Sequence, residues 1–315
     1  MNWILRMLLA AQASVGGQAV MEGVMMRSQN RLAIAVRKPD GEIVVQTRPW
    51  FSLTSSPLLQ KPFLRGFPVL LETLVNGISA LNYSAKEAMD EESGELKPWA
   101  LVLTMAASIA FALGLFVVVP HIFSLAMGWL GLSGDAKSLT FHMWDGLFKM
   151  MIFFAYVIAI SFLPDIRRVF QYHGAEHKVI WAYETGVALT PKAVRAFSRL
   201  HPRCGTAFLL FVLAVSIVLY TFLVPLILNW YAPENEIARQ AFIIGVKLAL
   251  MVPISSVAFE IIKFSGKFHD NIVCRAMSCP GLFMQLLTTH EPDDEQLEVA
   301  IEALKGALGR ECDAV

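Results

Sequence analysis

Charge is scarce in this chain of 315 residues: 17% are Asp, Glu, Lys or Arg, where soluble domains carry about 25%. No sign dominates either. Lys and Arg number 26 and Asp and Glu number 26, which disfavours a nucleic-acid partner held by bulk positive charge. Cysteine is rare, with four residues in the whole chain. That is too few for a disulfide framework, so Cys204, Cys274, Cys279 and Cys312 read as reduced thiols or metal ligands. The sequence has no Walker A motif, no G-x-G-x-x-G after a strand, no G-x-S-x-G and no H-E-x-x-H. Nucleotide binding and serine hydrolysis therefore have no support. Internal repeats and low-complexity stretches are missing as well.

Apolar residues are what the chain has in excess: 56% are hydrophobic and mean hydropathy is +0.54. Such a composition excludes disorder and points to the bilayer. Four segments approach or exceed the roughly 20 apolar residues that a spanning helix needs. They run from about Trp99 to Leu130 (interrupted at Pro120 and His121), Trp144 to Leu163, Thr206 to Trp230 and Gln240 to Phe264. The first can span with tilt or end in an interfacial piece after Pro120. Trp99, Trp129, Trp144 and Trp230 fall at span ends, as an aromatic belt places them. Near the N-terminus, Met1 to Ala13 faintly resembles a signal peptide, but Arg6 splits its apolar stretch, so cleavage is not expected.

Basic residues set the expected orientation. The segment between the second and third spans carries Arg167, Arg168, Lys178, Lys192, Arg195, Arg199 and Arg203 against Asp165, Glu176 and Glu184. The other two connections are nearly bare. This predicts an inner-membrane protein with both termini in the cytoplasm. Lys97, Lys263 and Lys267 agree with it.

The fold class expected is thus a mainly α membrane protein. Residues 1–97 form a small α+β cytoplasmic domain, 98–264 the four-helix membrane domain with a cytoplasmic loop at 165–204, and 265–315 a cytoplasmic tail with a helix. Within the first, Arg31 to Thr47 around the Lys38-Pro39-Asp40-Gly41 turn reads as a β-hairpin. Pro68 to Met89 reads as an amphipathic helix lying on the membrane or on the rest of the domain, and Asp90 to Lys97 as a polar linker. In the tail, Pro292 reads as a first-turn residue followed by three acids at the positive end of a helix.

The strongest chemical signal is H-x-x-E-H at His173, Glu176 and His177. On a helix the two imidazoles lie one turn apart and can share one metal, with Glu176 beside them to activate water or orient a ligand. The pattern is that of the inverzincins. A solvated polar face is the plain alternative, and Gly174 weakens the helix. His201 and Cys204 add an imidazole and a thiol in the same loop. This donor set suits zinc without excluding other first-row metals. Glu260, an acid inside a span, reads as a ligand, a group that orients an imidazole, or an ion-pair partner of Lys263 or Arg203. Asp145, Lys149 and Lys247 read as a structural ion pair with lysine snorkelling outward, or as a transporter's ion path. Cys274 and Cys279, near His269 and Asp270, look less like a ligand set because Cys279-Pro280-Gly281 reads as a turn.

At these residues the sequence resembles a family of uncharacterised multi-pass bacterial membrane proteins, the YqhQ type. The resemblance rests on GGQAVMEGVMMR (Gly16 to Arg27), AVRKPDGEI (Ala35 to Ile43), Arg65-Gly66, YHGAEHK (Tyr172 to Lys178), HPRCGT (His201 to Thr206) and PGLFMQLLTTHEPDDEQLEVAI (Pro280 to Ile301). It implies four spans and a suspected metal but no particular reaction. The site it implies is His173, Glu176, His177, His201 and Cys204, with Gln18, Glu22 and Arg27 packed nearby.

Two functions fit these readings. One is a zinc-dependent hydrolase at the cytoplasmic membrane surface, with Glu176 as its catalytic base. The other is a non-enzymatic scaffold or assembly factor, in which His173, His177, His201 and Cys204 close a structural zinc site. Membrane lipid is the expected partner, other membrane proteins and a homo-oligomer are compatible, and no nucleic acid is expected.

Overall fold

The computed structural model describes residues 15–89, 98–202, 204–267 and 272–309. The signal-peptide reading, the linker 90–97, Arg203, His269, Asp270 and Cys312 lie outside them, as does the side chain of Cys274.

Four strands form an antiparallel meander: β1 (Val15–Val20), β2 (Gly23–Ser28), β3 (Arg31–Arg37) and β4 (Ile43–Pro49). The expected hairpin is its second half. The Gly-rich stretch before it, with no helix to offer, supplies β1 and β2 through the two-residue turn Met21-Glu22. In the β3–β4 turn, Gly41 takes φ +90 and Asp40 accepts from the Glu42 amide at 2.9 Å. Arg31 to Val36 alternates only loosely because both faces of the sheet are covered. Met26, Ala33 and Ala35 pack beneath one helical layer, while Met25, Leu32, Ile34 and Val36 face another helix.

That other helix is α1 (Gly66–Ala88), which lies on the sheet and on the membrane domain at once. At its start a Cβ on Gly66 would meet the Ser256 backbone at 2.5 Å. Glu72 on α1 holds the incoming loop by accepting from the Leu53 and Thr54 amides at 2.5 and 2.6 Å.

Among the described residues, four helices are long and apolar enough to cross a membrane: Val102–Trp129, Leu139–Ser161, Leu210–Trp230 and Glu236–Phe264. The first comprises α2 (Pro98–Leu113), a π-helical turn (Gly114–Val118) and α3 (Val119–Trp129). The wide turn sits just before Pro120, whose missing N–H breaks the regular ladder there. The others belong to α4 (Leu139–Ser161), α6 (Gly205–Trp230) and α7 (Glu236–Lys267). Between α4 and α6 runs α5 (Pro164–Glu184), which begins on a proline and stops at Gly186, φ +71. Then come α8 (Ile272–Thr288) and α9 (Asp294–Leu308).

Three tail and span expectations are corrected. Cys279-Pro280-Gly281 is not a turn but lies inside α8, which packs through Met284 and Leu287 against α4 and α6. Pro292 precedes α9 rather than opening it. Asp293 is the N-cap and forms a capping box with Gln296. Lys149 and Lys247 do not snorkel: they are 5% and 0% exposed. Asp145 bridges them, accepting from Lys247 Nζ at 2.7 Å and Lys149 Nζ at 3.5 Å. His121 contacts Lys247 at 3.3 Å, and Lys149 sits 4.5 Å from the Tyr220 ring. Snorkelling fails because each lysine has a nearer buried partner than the interface.

The tail helix α9 shares a core with the sheet and α5: Leu297, Ala300 and Leu304 pack with Val24, Ala35 and Tyr172. Gly306 lets it come close, since a Cβ there would sit 3.0 Å from Ala33 and Val45.

Asp145→Asn leaves two buried ammonium groups with no counter-charge. Breaking a buried pair in this way costs about 3–5 kcal/mol. The expected outcome is a clear fall in Tm of the detergent-solubilised protein. An unchanged Tm would show that the cluster carries no structural weight.

Candidate metal centre

The H-x-x-E-H segment lies mid-way along α5, and all of Tyr172 to Ile180 is buried. Gly174 no longer weakens the reading, because it serves a contact: a Cβ there would stand 2.1 Å from the His290 carbonyl. The segment between α8 and α9 crosses α5 at this point. It is held by the His290 amide on the Phe170 carbonyl at 2.9 Å and by Lys178 on Glu291.

This crossing orients the first imidazole. His173 Nδ1 lies 2.8 Å from the Thr288 carbonyl at the end of α8. A carbonyl only accepts, so Nδ1 carries the proton and Nε2 presents a lone pair. His177 is set likewise, with Nδ1 2.6 Å from the Arg199 carbonyl. The carbonyl-bearing segments are themselves tied together. The Arg199 guanidinium donates to the Thr289 carbonyl. Gln285 accepts from the His201 amide at 2.7 Å and donates to its carbonyl at 2.8 Å.

Between the two Nε2 atoms comes Cys204, just before α6. Its sulfur is 3.2 Å from His173 Nε2. Donor atoms of His173, His177 and Cys204 all lie within 4.8 Å of one another, and all three residues are buried. Among the described residues this is the one such grouping of three. His177 Nε2 is buried, and burial pushes the ring's pKa down against the opposing pull of the Cys204 thiol.

Glu176 lies beside the three donors. It is 4% exposed, and its Oε2 has no hydrogen-bond partner. Burial pushes the carboxyl up to about 8; His173 and the Gly17 amide pull it down, and Cys204 adds to the rise. A cavity of about 210 Å³ meets this group, lined by Gly16, Gly17, Gln18 and Arg27 on the sheet and by Glu176, His177 and Cys204.

Two other candidates stand apart. His201 is not among the three whose donor atoms lie within 4.8 Å of one another, yet it lines the same cavity, with its ring centroid 5.8 Å from that of His177 and its Nε2 3.6 Å from the Glu184 carboxylate. Glu260 is turned away altogether. It accepts from Arg65 Nε at 2.7 Å and Nη2 at 2.5 Å, so Arg65 is its hydrogen-bonded partner, with Lys263 adding a weaker electrostatic pull. The bidentate fork of an arginine at the start of α1 outcompetes a lysine on the same helix. Glu22 pairs with Arg168 and Tyr172 on α5. The orienting carbonyls of Thr288 and Arg199 escape sequence reasoning, since every residue has one. Arg65 had a signal in the Arg65-Gly66 pair.

Sheet, four spans and a buried His-His-Cys group at one end of the bundle define a multi-pass membrane protein with a candidate metal centre. Comparison places it more narrowly. A family profile described as "Protein of unknown function (DUF1385)" matches residues 61–310. The chain is also 33% identical to "Uncharacterized protein YqhQ" of Bacillus subtilis (strain 168), over 93% of this chain and 92% of that protein. The chain belongs to this family of uncharacterised proteins. No solved structure matches it.

Gly174→Ala separates helix propensity from packing. Alanine alone would favour the helix by about 1 kcal/mol. Because the added methyl collides with the His290 carbonyl, the expected outcome is instead a lower Tm, read by thermal unfolding in detergent.

Proposed function

We propose that the protein is a zinc-dependent hydrolase working at the cytoplasmic face of the inner membrane. The supporting observation is the convergence of two imidazole nitrogens and a thiol, each imidazole aligned by a backbone carbonyl. Nitrogen and sulfur donors of this kind fit zinc. The buried His177 ring and the Cys204 thiol lie against each other, as two ligands of one cation would. His173, His177 and Cys204 would hold the ion. Bound zinc would supply a Lewis acid that lowers the pKa of water toward about 7.

The chain's own residues supply the remainder. Three protein ligands leave a position open, as catalytic sites do, and the adjoining cavity supplies room for a substrate. Glu176 lines that cavity with an oxygen no protein group occupies; a bound cation would oppose the burial that keeps its proton on, and the carboxylate could then take a proton from water and return it to a leaving group. The basic 165–204 segment supports placing this end of the bundle in the cytoplasm.

A closed structural site is the second reading, favoured by the nearness of the His201 ring to His177. His201→Ala distinguishes the two. The hydrolase reading expects elemental analysis to find about one zinc per chain in the wild type, His201→Ala and Glu176→Gln. It expects little in His173→Ala or Cys204→Ala. Loss of zinc in His201→Ala would favour the structural site, and no zinc in the wild type would end both. Glu176→Gln is further expected not to complement a deletion strain; full complementation would exclude its role as base.

A further inference from the structure

We infer that the substrate of this site is an extended polypeptide segment, paired with the outer edge of β1. The inference rests on the hydrolase reading and deepens it. β1 is an edge strand of the sheet. Val20 and Gly23 flank its two-residue turn, so Val20, Gln18 and Gly16 exchange hydrogen bonds with β2. Val15, Gly17 and Ala19 therefore turn their N–H and C=O groups outward. Among the described residues no backbone group pairs with this edge. One outward group, the Gly17 amide, reaches Glu176.

This edge and the metal-binding group share one cavity. Val15, Gly16, Gly17 and Gln18 line it together with Glu176, His177 and Cys204. At about 210 Å³ the cavity is smaller than the roughly 300–1,000 Å³ that encloses a compact small molecule. A strand needs only its reacting bond inside, because an unpaired edge grips the backbone on either side. Hydrolysis then adds water across one amide. Hydroxyl bonds to the carbonyl carbon, the C–N bond breaks, and the proton accepted by Glu176 passes to the departing nitrogen.

The test uses full-length Glu176→Gln in detergent, which spares the probe from cleavage. The probe is a pool of octapeptides randomised in sequence, each bearing one benzophenone, photo-crosslinked and mapped by mass spectrometry. Three pools are compared: unmethylated, N-methylated at alternate residues, and N-methylated at every residue. Alternate methylation leaves one peptide edge able to pair; complete methylation leaves none. Labelling of Val15 to Gln18 is expected with the first two pools and not with the third. Val15→Pro removes one outward N–H while sparing the ladder to β2. It is expected to weaken labelling about three- to tenfold, the worth of one hydrogen bond.

Absent labelling, or labelling indifferent to complete methylation, overturns the inference. So does displacement by dihexanoyl phosphatidylglycerol together with that indifference, which would assign the cavity to a lipid headgroup. Zinc is measured on the same samples. Zinc without edge labelling removes the peptide alone, and edge labelling without zinc removes the hydrolase reading while leaving a peptide-binding edge.

Discussion

Two backbone carbonyls hold the centre of this molecule together. Thr288 and Arg199 each accept the Nδ1 proton of a histidine on α5, and so fix which nitrogen of each ring is left to bind something else. Without them the rings could spin or change tautomer, and Cys204 would face no defined partner. The arrangement demands that three distant chain segments meet: the middle of α5, the loop before α6 and the end of α8. Gln285 and Arg199 secure that meeting by tying the loop to the end of α8.

A second requirement is that the sheet stay fixed to the membrane bundle. Arg65 on Glu260 and the close seat of Gly66 on Ser256 join α1 to α7 at the same end of the spans. The sheet lies between α1 on one side and α5 with α9 on the other. Its first strand is thereby carried to the His-His-Cys group, where Gly17 can bond Glu176. The mostly exposed outer surface of α2 is what lipid contact requires of a spanning helix.

At the opposite end of the bundle, Asp145 gathers two lysines and draws in His121. Charges buried among spans are costly unless paired. Here one carboxylate links α4 to α7, with His121 bringing in α3. The polar groups act as a clasp between helices whose apolar surfaces would not specify one register.

Much of this was legible in the chain. The four spans follow from apolar runs longer than a soluble helix needs, and His173 and His177 share a face because they are four residues apart on a helix. The β3–β4 hairpin follows from its Pro-Asp-Gly turn. The first two strands were hidden: a Gly-rich segment has little side-chain pattern, and a sheet covered on both faces loses its alternation. Pro280 concealed α8 by mimicking a turn.

What the sequence determined alone was the inventory, namely spans, their order, and which residue types could grip a metal, because these depend on local spacing and hydrophobicity. Only the tertiary structure decided which of these residues meet. Cys204 joined the two histidines, His201 fell beside Glu184, and Glu260 went to Arg65. Partner choice among distant residues depends on how helices pack and where carbonyls point, and no local pattern of side chains encodes that.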